Sequence, residues 1–201
     1  MNPTRRWPWL LALLLALVWY WHAHRPLTHP PGVLAAEAPA QSDIDASLPA
    51  LHKGDVSLQP LARFSLSARV LGRADYSWDT LATLVPTDLA LGWGRMSDSA
   101  VLSAVSIAQS GRFYFWQVQR FPIPEHEIIE SSANMHLIAG DDVVRRDIAR
   151  TRVGDVVSFD GYLVEIDWPD GNKARSSLTR SDSGAGACEI VWVENFRIAP
   201  R

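Results

Sequence analysis

The N-terminal apolar segment constrains this chain more than any other feature. Arg5 and Arg6 precede "WPWLLALLLALVWYWHAH", and no charged residue interrupts the run from Trp7 to Trp21. A helix extended to Ala23, rising ~1.5 Å per residue, would reach roughly 25 Å, enough for a thin bilayer. Trp7 and Trp9 at one end, and Trp19, Tyr20 and Trp21 at the other, match the aromatic belts of a membrane span. Arginines at the N-terminal side predict that this end stays cytoplasmic and that the rest of the chain lies across the membrane. A cleavable signal peptide would instead be cut in the Ala-rich "VLAAEAPA". That stretch lies well past the apolar run, and bulky "WYWHAH" is a poor cleavage site. Residues 1–23 therefore read as a cytoplasmic tip and an uncleaved transmembrane signal-anchor.

Beyond the anchor the composition changes. Residues 24–61 contain six prolines among Ala and small polar residues, which predicts an extended, largely unpacked tether. Residues 62–201 carry the periodic apolar patterns and read as one β-rich domain. The chain as a whole is 47% hydrophobic and 20% charged, so a buried core is feasible. A formal net charge of −3 without a run of Lys or Arg removes the electrostatic footprint of a nucleic-acid binder. One cysteine excludes an internal disulfide and a Cys-rich zinc module.

Within the domain, "FSLSARVL" alternates as a strand should, with Phe64, Leu66, Ala68 and Val70 on one face. Asp79 is expected to cap a short helix ended by Pro86, and Ser97 or Asp98 another running to about Val105. "LGWGRMSD" between them reads as an irregular loop. "RFYFWQVQRF", aromatic on both faces, reads as a central strand. "HEIIESSANMHLI" reads as a strand broken by a polar stretch. Asp141 and Asp142 begin an amphipathic helix that ends before Gly154. The last fifty residues read as a meander with strands at 156–159, 162–167, 174–179 and 189–198, joined by turns at Asp160-Gly161, "WPDGN" and "SDSGAGA". The expected fold is mainly β with short helices (α+β), a small mixed β-barrel or sandwich whose C-terminal half is OB-like or SH3-like.

Candidate chemistry centres on Cys188, which follows a glycine-rich turn and precedes the apolar "EIVWVE". A nucleophilic thiol needs a base or cation nearby and access to substrate. His136 is the best base candidate, and Arg197 or Arg180 could supply positive charge. The alternative role for Cys188 is a small buried residue that starts a strand. The order His136, "RVGDVV", Cys188, Arg197 resembles that of the sortases, membrane-anchored cysteine transpeptidases, and such a likeness implies a nucleophile, a base and an oxyanion-stabilising arginine. The chain departs from that pattern in two ways: a Gly-rich turn replaces the Thr-rich stretch before the cysteine, and Arg197 shares a strand with it. A metal site built on Glu125, His126 and Glu127 with His136 lacks any close His pair, so no metal or other cofactor is expected. Arg180 and Asp182, together with Trp93, Arg95 and Asp98 of the other glycine loop, form a candidate binding surface, since Arg and Trp are common anchors of interfaces.

Segments "PTDLALGWGRMSDSAV", "ANMHLIAGDD", "GDVVSFDGYLV" and "SSLTRSDSGAGACE" resemble those of an uncharacterised family of bacterial membrane-anchored proteins, over about Phe64 to Glu194. That resemblance implies a location and no activity. The expectation is a single-pass inner-membrane protein that presents a periplasmic β-rich domain to another envelope protein or to the cell wall, without catalysis. A cysteine transpeptidase or hydrolase acting on cell-wall or protein substrates is the alternative. Convergence of His136 and Cys188 in an open cleft would favour the enzyme, and a Cys188 buried among Leu, Ile and Trp would end it.

Overall fold

The computed structural model describes residues 7–45, 47–179 and 188–201. Helix α1 (Trp7–His24) is followed by the short strands β1 (Ala40–Ser42) and β2 (Leu51–Lys53) and by the long strand β3 (Val56–Asp75). Then come β4 (Thr87–Gly92), a 3-10 turn at Gly94–Ser97, α2 (Ser99–Leu102), and the hairpin β5 (Val105–Ser110) and β6 (Phe113–Val118). The rest is α3 (Glu125–Glu130), β7 (Ser132–Ala139), α4 (Asp142–Ala149), β8 (Val156–Asp167), β9 (Lys173–Arg175) and β10 (Glu189–Ile198). The chain is mainly β with short helices, as its patterning predicts.

Strand β3 organises the sheet because it is long enough to pair on both edges. It pairs antiparallel with β4 on one side and β8 on the other. Pairing continues from β4 to β7 and, in parallel, from β7 to β10, which returns antiparallel to β8. Five strands thus form a closed circuit of pairing, while β1, β2 and β9 attach outside it, so the whole is not a clean barrel. Pro60 lies at a register shift between Pro60 and Ala62, where the ladder tolerates a missing N–H. Alternation sends Phe64, Leu66, Leu89, Leu91, Met135, Leu137, Phe159, Leu163, Val191 and Val193 into one core, joined by Val144 and Ile148 of α4. Two further apolar clusters cover the opposite face: Ile138, Val164, Ile166 and Ile190 in one, Ala90, Met96, Ile123 and Ile128 in the other.

Several local expectations are corrected. Residues 80–84 form turns and no helix, although Asp79 accepts from the Leu81 and Ala82 backbone as a cap would, besides pairing with Arg112. The stretch 87–92 is a strand, buried at all six positions, so it shows no alternation to read. The "RFYFWQV" strand is not central: β6 belongs to a separate two-stranded sheet and leaves Phe113 and Phe115 exposed. "EHEIIE" is helical, and the strand begins only after it. Asp160-Gly161 is no turn, since β8 runs through it. Trp192 O would sit 1.8 Å from a Cβ at Gly161, so the close approach of β10 accounts for that glycine. β9 is shorter than expected, three residues at the edge. The C-terminal half is therefore not a self-contained meander, since β10 needs β7 as a partner. α4 matches its prediction, with Asp141 accepting from Val143 N and Val144 N.

The 24–61 segment is also more ordered than a free tether. Leu27 N donates to Val153 O (2.8 Å) and His29 Nε2 to Gly154 O (2.7 Å). Leu34 N and Ala35 N both donate to Ser97 Oγ (3.1 Å), and Gly94 N donates to Ala35 O (2.8 Å). Gly154, at φ +94°, lets this strap pass: a Cβ there would lie 2.3 Å from Leu27 O. Only two residues separate the end of α1 from the first of these bonds. Along α1, Trp7, Trp9, Leu10, Leu13, Leu14, Leu17 and Trp21 are exposed. Among the described residues no helix is long and apolar enough to cross a membrane.

Candidate functional site

The chemistry-bearing residues gather on the outer face of β4 and β7, between the two outer apolar clusters. Asp88 and His136 are direct partners across the β4–β7 pair, and Ile190 lies opposite His136 across β7–β10. Because Leu89, Met135 and Leu137 point into the core, alternation turns Asp88, Asn134 and His136 outward. Outward is not exposed here. Asp88 is fully buried and His136 nearly so, under the 76–86 segment and the β5–β6 hairpin.

Arg112 closes the cover. Gly111 (φ +58°) and Arg112 (φ +73°) are the two central residues of the β5–β6 turn, the pattern of a type I′ hairpin. A left-handed arginine costs about 1–2 kcal/mol, which its contacts offset. Its Nη1 donates to Asp88 Oδ1 (2.8 Å) and Val85 O (2.9 Å). Nε and Nη2 hold both oxygens of Asp79 at 2.9 and 2.8 Å, a bidentate pair that draws the Asp79 carboxyl below its ordinary range. The guanidinium also stacks 3.8 Å over the Tyr76 ring, whose hydroxyl accepts from Arg112 N (3.1 Å).

Cys188 meets this cluster from the start of β10. It is half-buried, and its Sγ lies 4.0 Å from Arg112 O, a carbonyl that also accepts from Asn134 Nδ2 (3.0 Å). His136 Nδ1 stands 2.9 Å from Asp88 Oδ1, an ion pair by distance whose N–H is not aligned as a hydrogen bond. Cys188 comes close enough to the ring to favour its charged form, while its Sγ donates to Arg112 O. Burial works against charging the ring, but Asp88 and Cys188 outweigh it and hold the imidazole pKa at about 9. Thiol, imidazole and carboxylate thus stand in sequence, with the arginine behind the carboxylate.

Of the residues singled out from sequence, His136 and Cys188 converge. Arg197 does not join them: nine residues along from Cys188, at ~3.3 Å each, it is roughly 30 Å away and exposed. Arg180 and Asp182 lie outside the described residues. The remaining surface candidates are engaged elsewhere. Trp93 is buried in the core, Arg95 forms a bidentate ion pair with Glu127, and Asp98 caps α2 through Ala100 N (2.8 Å) while accepting from Gly32 N (2.8 Å). His126 is exposed on α3, and among the described residues no group of three potential metal ligands occurs.

Asp88, Asp79 and Arg112 escape a reading of the sequence. The available signal is the "SGRF" turn between two alternating runs, which places an arginine at a hairpin tip. Nothing local says where that tip lands. No protein-family model, curated protein or solved structure matches the chain.

Proposed function

We propose that this chain is a single-pass inner-membrane protein whose periplasmic β domain binds or assembles with another envelope component. One observation carries the reading: α1 exposes apolar side chains on every side, with Trp9, Leu10, Leu11, Leu13 and Leu15 each more than half exposed. A helix apolar all round is stable only in lipid or against a partner, and a short one is accommodated by local thinning of the bilayer. Arg5 and Arg6 support a cytoplasmic N-terminus. The strap supports a domain held close to the membrane and not far off it, since Leu27 is already bonded to the body of the domain.

The finer architecture belongs with this reading. The circuit β3-β4-β7-β10-β8, with a parallel β7–β10 pair and α4 between β7 and β8, supports an OB-like barrel. For the partner-facing surface, the exposed aromatic face of the β5–β6 hairpin, Phe113 and Phe115, replaces the glycine-loop surface expected from sequence. Fractionation tests the location. The full chain is expected in the inner-membrane pellet after carbonate washing, with its β domain cut by protease only once the outer membrane is opened. A soluble product beginning near Glu37, or a domain protected inside spheroplasts, overturns it.

A further inference from the structure

We propose that Cys188 and His136 form a nucleophile and proton carrier for acyl transfer, taking an acyl group presented as an ester or thioester. The inference goes beyond the envelope reading above and does not depend on it. It starts from a coincidence of three separated segments: β4 supplies Asp88, β7 supplies His136 one register position across, and the start of β10 supplies Cys188. A cysteine that merely began a buried strand would be enclosed by apolar side chains. Cys188 is instead half-buried and beside a nearly buried histidine, and the Arg112 carbonyl fixes its side. The histidine in turn is held from behind by a fully buried carboxylate, the order in which thiol, imidazole and orienting acid occur in nucleophilic catalysis. His136 near 9 keeps its proton at neutral pH, as the imidazolium of such a pair must.

The step balances without any oxidant. The Cys188 sulfur, its proton on the His136 ring, attacks the acyl carbonyl carbon, so an S–C bond forms and the carbonyl pair moves to oxygen. Collapse of the tetrahedral intermediate breaks the bond to the alcohol or thiol leaving group, which takes the proton from His136. Water or an amine then attacks the thioester, gives its proton to His136, and releases the Cys188 sulfur.

The test uses the full-length chain in detergent with p-nitrophenyl acetate, following p-nitrophenolate release and mapping the acetyl group by mass spectrometry. Acetylation is expected at Cys188, at least about tenfold faster in the native chain than in the same chain unfolded in urea. His136→Gln is expected to slow it by about 100-fold or more. A native thiol that reacts no faster than the unfolded one overturns the proposal, and so does a folded His136→Gln chain that reacts at the parent rate. Should that variant not fold, the native-against-unfolded comparison decides alone. Membrane fractionation has no bearing on either outcome, so failure here leaves the location reading standing.

Discussion

Raising the pH should unfold this protein through His136, and the size of the effect follows from its neighbours. The imidazole is charged in the folded state up to about pH 9, against an ordinary value of 6.5. The folded-state value is the higher, so its stabilisation is complete below pH 6.5 and is lost as pH rises through about 9. At 1.36 kcal/mol per pKa unit, the gap corresponds to about 3 kcal/mol, a large part of a typical domain's stability. The groups facing the ring are Asp88 from β4, Cys188 from β10, and Arg112 from the hairpin, itself paired with Asp79. The assay is urea unfolding of the full chain followed by tryptophan fluorescence at pH 6.5 and pH 10. The parent should lose about 3 kcal/mol more across this interval than His136→Gln, in which the titrating group is gone. Parallel losses in the two chains would show that His136 is not held charged by Asp88, and the cluster would then be a neutral one.

The other expectations concern single contacts. Arg112→Lys keeps a charge but cannot reach Asp79, Asp88 and Val85 O together, and it leaves one of these buried or half-buried acceptors without its arginine. A loss of about 3 kcal/mol or more in chemical denaturation is expected. Gly154→Ala would force a Cβ against Leu27 O at a positive φ, costing about 2 kcal/mol. Hydrogen exchange should then report faster exchange of the Leu27 amide, with the β7 amides still protected. Asp141→Ala removes the cap of α4, whose two hydrogen bonds measure 2.7 and 2.8 Å, and should lower stability by about 1 kcal/mol in the same unfolding assay.

Short-range features could be read from the sequence where one physical rule operates alone. Helix α4 was legible because Asp141 and the Val144/Ile148 spacing act within two turns. Strand β10 was legible through its apolar run, and α1 through its length and uncharged interior. Reading failed wherever burial on both faces erased alternation, as in β4, or where a later strand covered a glycine, as at Gly161. It failed again at Trp93, offered as part of a binding surface although its side chain fills the core.

The candidate site divides along the same line. The amino-acid order by itself supplied two of its members, His136 and Cys188, because histidine and cysteine carry chemistry that their names declare. Their meeting was decided by the tertiary structure: the parallel β7–β10 pair joins segments some fifty residues apart, and no local propensity encodes such a register. Asp88 and Arg112 were beyond reach for a further reason. An aspartate in a short apolar strand and an arginine in a hairpin turn have ordinary local explanations. Only the folding of the hairpin onto the outer face of β4 and β7 turns them into one buried ion-pair network, in which each charge is tolerable because the others are present.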